Sequence, residues 1–191
     1  MLKVVERIAR FMAIAGGLVL TGLVMLTGFS VLGRGLNTLG HSGLLPDGLA
    51  EALIATGVGP ITGDFELVEA GVAFAIFAFL PICQLFGSHA TVDVFTNALP
   101  SKTNKVIAAF WEVVLSAAIL LITWRLYEGM QSKMSYGETT FLLQFPVWWA
   151  FGASFVAAVV ASLVGVYCAY GRVVEMFTGR RVLPNHGEAV H

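Results

Sequence analysis

The side chains that most often do chemistry are sparse in this chain. It has twelve Asp and Glu, four His and two Cys among 191 residues. No CxxC pair, HExxH run or Gly-rich phosphate loop occurs. Ser, Thr and Asp are scattered, with no spacing that brings a nucleophile, a base and an orienting group together. Cys83 and Cys168 both lie in apolar runs and read as small buried residues, not as a disulfide or metal framework. His41, His89, His186 and His191 all fall outside the middles of the apolar runs. A membrane haem subunit needs axial histidines inside its bundle, so haem ligation is not expected. His89 and Asp93 are four apart and share a helix face. They supply too few ligands for a tight zinc site, and ordering of a turn is expected, with Asp93 near Lys102 or Lys105. The residues thus predict no catalytic group, no cofactor and no metal.

The remaining charges matter because of where they sit. Hydrophobic residues make up 57% of the chain and charged residues 12%. A soluble domain carries roughly 25% charged residues and needs polar cover for its surface. The net charge of -1 and the lack of a basic stripe exclude a general nucleic-acid binder. A membrane-spanning helix needs ~20 mostly apolar residues, and four stretches qualify: 11–32, 67–87, 106–124 and 145–170. Their apolar runs are continuous, unlike the alternation of barrel strands. The predicted fold is an all-α integral membrane protein with about four transmembrane helices, forming one domain over residues 1–172. A polar tail follows over 173–191. The first run is 22 uncharged residues long, exceeds the ~7–15 of a signal peptide and lacks an A-x-A site, so it reads as a retained helix.

Short interfacial helices are predicted in the first and second loops. Pro46-Asp47-Gly48 precedes Leu49, Ala52 and Leu53, and Gly57 follows, which gives a Pro start and a Gly stop. Its apolar face suits the bilayer surface or a partner. Val92, Phe95 and Leu99 recur at helical spacing before Pro100. Eight of the Lys and Arg residues fall on the side of the two termini, and Arg34, Arg125 and Lys133 fall on the other. Both termini are therefore predicted to be cytoplasmic. Trp124 and Tyr127 close the third span, and Trp148 and Trp149 open the fourth as interfacial anchors.

Within this frame a few residues stand out. Arg34, Glu66 and Glu69 belong at one outer level, and Glu66 and Glu69 share a face, so an Arg34 bridge to one of them is expected. Glu112 lies six residues, ~9 Å, inside the third run. It is expected to pair with a basic group of a partner or to snorkel toward Lys105. The fourth run carries small residues four apart: Ala153, Ala157, Ala161, Gly165 and Ala169. The first carries Ala9, Ala13, Gly17 and Thr21. Such rows let helices approach closely, either within the chain or against another subunit.

From Lys3 to about Arg172 the chain resembles the small membrane subunit, or Q subunit, of tripartite ATP-independent periplasmic (TRAP) transporters. The resemblance rests on Arg34 after the first helix and on Glu66-Leu67 at the start of the second. It continues through Gly87, His89, Val92 and Asp93, then Leu99-Pro100, then Phe145, Pro146, Trp148 and Trp149. The first outer loop is longer than the family's usual link. The resemblance implies a scaffold subunit of a sodium-coupled secondary transporter for organic-acid uptake, in a bacterial or archaeal cytoplasmic membrane. It implies about one large TRAP membrane subunit as partner, which holds the substrate and sodium sites. It also implies a periplasmic substrate-binding protein as a transient partner. The alternatives are a membrane anchor subunit of a redox enzyme, which a haem spectrum would reveal, or a small stand-alone channel or carrier. Almost no polar residues lie inside the four runs, which makes a poor solute path.

Overall fold

The computed structural model describes residues 2–43, 45–87, 101–178 and Leu183, without the side chains of residues 101, 102 and 104. Five helices account for nearly all of it: α1 (Leu2–His41), α2 (Asp47–Ala55), α3 (Asp64–Leu85), α4 (Ser101–Tyr136) and α5 (Trp148–Thr178). Four of them are long and apolar enough to cross a membrane. The short helix expected around residues 92–99, with His89 and Asp93, lies outside the described residues.

The helices run longer than the hydropathy pattern suggests. α1 continues past Leu32 to His41, and at 1.5 Å per residue it is about 60 Å long. That is twice the ~30 Å hydrocarbon thickness, so it tilts or projects. α4 passes Trp124 and ends at Tyr136, so most of the expected third loop is helix. Polar pairs one turn apart carry that extension. Arg125 binds Glu128 at 2.8 Å, Trp124 Nε1 donates to Glu128 at 3.0 Å, and Gln131 donates to the Tyr127 hydroxyl at 2.9 Å. Hydropathy does not register such contacts. α5 begins at Trp148, not Phe145. A residue before proline favours extended backbone, and Pro146 suits a helix start. Phe145 and Pro146 instead close a tight turn, in which Thr140 N donates to Phe145 O and Val147 N to Glu138 O.

Packing sets the order α1–α3–α5–α4 across one layer of helices, with α1 and α4 at the edges. α1 and α3 are antiparallel. Gly16 lies against Ala78, Gly71 against Leu23, and Ser30 against Asp64. α3 and α5 are parallel, joined by buried Ala78 and Ala157 near mid-length and by Leu85, Val164 and Cys168 further along. α5 and α4 are antiparallel again, with Gly165 beside Ser116 and Gly129 beside Phe151. The start of α1 and the ends of α3 and α5 therefore share one end of the layer, here the base. Leu183 folds back onto it and packs against Gly171. α2 and the 137–147 turn form the other end, the crown.

α2 folds down on the crown end of α1, where Gly40 leaves room for Leu53 and Ile54. Asn37 Nδ2 donates to the Val58 carbonyl at 3.0 Å. Gly33 is obligatory here, because a Cβ would come within 2.1 Å of the Gly59 carbonyl oxygen.

Candidate partner interface

Three sets of residues could serve a function in this layer: a buried polar seam, a set of carboxylates at the crown, and the faces left uncovered. The seam lies where α3, α4 and α5 meet. Gln84 is 1% exposed, and its Nε2 donates to Ser116 Oγ at 3.1 Å. Ser116 Oγ in turn donates to the Gly165 carbonyl at 2.9 Å. The Gln84 amide lies so close to Gly165 that a Cβ there would sit 3.0 Å from Nε2. One turn toward the base, Glu112 is 8% exposed, lies near Gln84 and is within electrostatic reach of Arg172. Toward the crown, Thr123 Oγ1 meets Ser162 Oγ at 2.8 Å and the Ile119 carbonyl at 2.8 Å. The seam gives the Gln84 N–H and the Ser116 and Thr123 hydroxyls partners across three helices where lipid could not, while Gln84 Oε1 and Glu112 Oε1 are buried without a hydrogen bond.

Glu112, expected from sequence to pair with a partner's basic group or to snorkel toward Lys105, is buried beside Gln84 in this chain. It turns inward because Gln84 and the base of α5 offer polar groups at its own depth. Gln84 and Ser116 escaped sequence reasoning. A Gln inside an apolar run was the available signal, since an amide buried in lipid needs partners.

At the crown, the carboxylates separate into different roles. Asp64 opens α3 and accepts a hydrogen bond from Ser30 of α1, which is fully buried. Ser30 also accepts from Ile61 N at 3.2 Å. The hydroxyl thus ties α1 to the strap of chain that leads into α3. Glu66 accepts from two successive backbone N–H groups, Leu142 at 2.6 Å and Leu143 at 2.9 Å. This clamps the α4–α5 turn onto α3. The bridge expected between Arg34 and Glu66 or Glu69 is not among the ion pairs of the described residues. Arg34 acts electrostatically on Asp64 instead. The reason is geometric: Ser30 and Arg34 are one turn apart and meet the start of α3, whereas Glu66 turns toward α5. Glu69, exposed, has no hydrogen-bond or ion-pair partner among the described residues.

Glu69 lines the rim of a largely apolar groove of about 600 Å³ between α3 and the α4–α5 hairpin. Ala73, Phe77, Phe145 and Phe151 form its walls, and Ser154 lies on its floor. Ser154 is 1% exposed, and its hydroxyl has no hydrogen-bond partner.

The small-residue row of α5 divides. Ala157, Ala161 and Gly165 are buried within this chain, Ala169 is half-buried and Ala153 is exposed. In α1, Ala9 and the neighbouring Gly16 face α3, while Thr21 is exposed and Gly17 has open space around it. The layer leaves large aliphatic and aromatic side chains uncovered along both edges. These include Phe11, Leu18 and Phe29 on α1, and Phe110, Trp111 and Leu121 on α4. Trp148 and Trp149 meet edge to face at 6.2 Å at the crown, with Trp149 exposed. Among the described residues no group of three or more His, Cys, Asp or Glu converges. The arrangement can hold helices together and present an apolar surface to lipid or to another membrane protein.

Comparison with curated proteins and with solved structures finds no match to this chain. The family described as tripartite ATP-independent periplasmic transporters, DctQ component, matches residues 23–175, and with most of its length covered this four-span chain belongs to that family of transporter components.

Proposed function

We propose that the chain is the scaffold subunit of a sodium-coupled TRAP transporter for organic-acid uptake, and that it binds the large membrane subunit one to one. The observation that carries this reading is the single-layer packing. α1 and α4 lie at opposite edges, and each leaves most of its apolar surface uncovered. A layer joined by a buried polar seam resists bending, which suits a fixed frame against which a transport domain moves. Few polar groups lie along the spans outside the seam, which makes a poor solute path. A periplasmic substrate-binding protein is a transient partner of the complex. The layer sits in the cytoplasmic membrane with its base, and so both termini, on the cytoplasmic side.

The test is purification from native membranes in mild detergent, with an affinity tag on this chain. A much larger polytopic protein at equal stoichiometry is the expected companion. Vesicles reconstituted with this chain alone should take up no organic acid under a sodium gradient. Uptake by such vesicles would overturn the scaffold reading.

A further inference from the structure

Resting on that reading, we propose that the crown groove seats an apolar transmembrane segment of the large subunit that carries one Lys or Arg at the depth of Glu69. The groove is walled by Ala73, Phe77, Phe145 and Phe151, and it opens between two membrane-spanning helices. Its walls are held apart by a device independent of any ligand. Glu66 pins the Leu142 and Leu143 backbone to α3, and the α4–α5 turn is further tied by the Lys133–Glu138 ion pair at 2.5 Å. The groove is therefore a preformed recess.

Its polar lining residues are Glu66, Glu69, Thr140 and Ser154; Glu66 is held by the turn backbone, Thr140 belongs to that turn, and Glu69 and Ser154 select the occupant. Glu69 sits five residues into α3, about 7.5 Å below its first residue. It has no partner among the described residues and lines the rim. A carboxylate at this depth is stabilised by a cation and costs free energy without one. Ser154 sits six residues into α5, about 9 Å below its start. Its hydroxyl is buried, unpartnered and on the groove floor. An unmet buried hydroxyl is an unsatisfied polar group awaiting a contact. The Ala78–Ala157 contact sets Glu69 level with Trp148, so Ser154 lies about six residues, ~9 Å, deeper in the groove than Glu69.

A lipid tail matches the apolar walls but offers nothing to the hydroxyl. A polypeptide segment meets all three requirements. Its apolar side chains fill the walls, its backbone or a small polar side chain reaches Ser154, and a Lys or Arg stem lies along the groove with its charge on Glu69. The negative rim excludes a segment bearing a carboxylate at that level.

The experiment uses the whole membrane complex. A photo-crosslinking amino acid at Ala70 or Ala73 is activated in native membranes, and the products are mapped by mass spectrometry. The expected product joins this chain to one apolar segment of the large subunit, next to a Lys or Arg. Glu69→Arg should lower the recovered large subunit roughly tenfold, since it sets like charges against each other across the interface. Glu69→Gln should lower it less. Reversing the mapped basic residue to Glu should restore the Glu69→Arg complex. A thermal melt of each variant chain, expected to match the wild type, separates loss of binding from loss of fold. Crosslinks to lipid, to a second copy of this chain, or to no molecule overturn the groove assignment. So does a Glu69→Arg complex recovered in full. If the wild-type chain recovers the large subunit but the groove crosslinks elsewhere, only this inference falls. Failure of the wild-type chain to recover any large subunit would overturn both readings.

Discussion

At the scale of single residues, position relative to a backbone decides what a carboxylate does. Glu66 and Glu69 are one helical turn apart and look alike in sequence. Only Glu66 meets two backbone N–H groups of the α4–α5 turn. Glu66→Ala should therefore lower the melting temperature of the purified chain, while Glu69→Ala leaves it nearly unchanged. Differential scanning fluorimetry in one detergent checks the contrast, and equal shifts would mean that the two backbone contacts of Glu66 give it no larger share in the fold than Glu69 has. Because Arg34 forms no pair with Glu66, the double swap Arg34→Glu with Glu66→Arg should recover none of the Glu66 loss. A positive coupling energy in that double-mutant cycle would restore the direct bridge. Ser30→Ala tests the neighbouring tie. It removes an acceptor from Ile61 N and a donor to Asp64 in a fully buried position. The expected cost is about 1–3 kcal/mol, the usual range for leaving a buried polar group unmet.

At the scale of elements, the glycines report which helix faces are already occupied. A Cβ at Gly165 meets the Gln84 amide, whereas one at Gly17 meets nothing within 4 Å. Gly165→Val should destabilise the chain by about 1–3 kcal/mol, as overpacking of a filled seam does. Gly17→Val should leave the isolated chain's melting temperature within a degree or two of wild type, or raise it, because valine is a better helix former than glycine. If the large subunit packs on that face of α1, Gly17→Val lowers the yield of the complex while sparing the chain. Unfolding of the Gly17 variant on its own would mean that α1 is covered within this chain after all.

At the scale of the whole molecule, four crossings bring the start of α1 and the end of α5 to the same side. In a background with Cys83 and Cys168 replaced, single cysteines at Ser42 and Ser101 should differ in labelling by a membrane-impermeant thiol reagent. Ser42, next to α2 at the crown, should label in intact cells. Ser101, at the base end of α4, should label only after the membrane is opened. The reverse pattern would invert the topology and place the crown groove on the cytoplasmic face.

The amino-acid sequence by itself determined the class of the molecule. Four long apolar runs in a chain with 12% charged residues point to helices in lipid, because hydrocarbon admits only helices and closed barrels, and continuous runs lack the alternation of barrel strands. The same logic located the α2 helix through Pro46 and Gly57, since turn chemistry is local. Helix ends at His41, Tyr136 and Trp148 were less legible. They depend on one-turn polar contacts and on Pro146, which hydropathy does not weigh. The order of the helices was decided only by tertiary structure. Consecutive helices need not be neighbours, and here α5 lies beside α3, parallel to it, with α4 pushed to the edge. From that placement follow the inward turn of Glu112, the burial of Ala157, Ala161 and Gly165, and the pairing of Ser30 with Asp64. Each is a contact between residues more than 25 positions apart, or a consequence of one. No local pattern encodes such contacts, because they depend on how side chains on separate helices fit together.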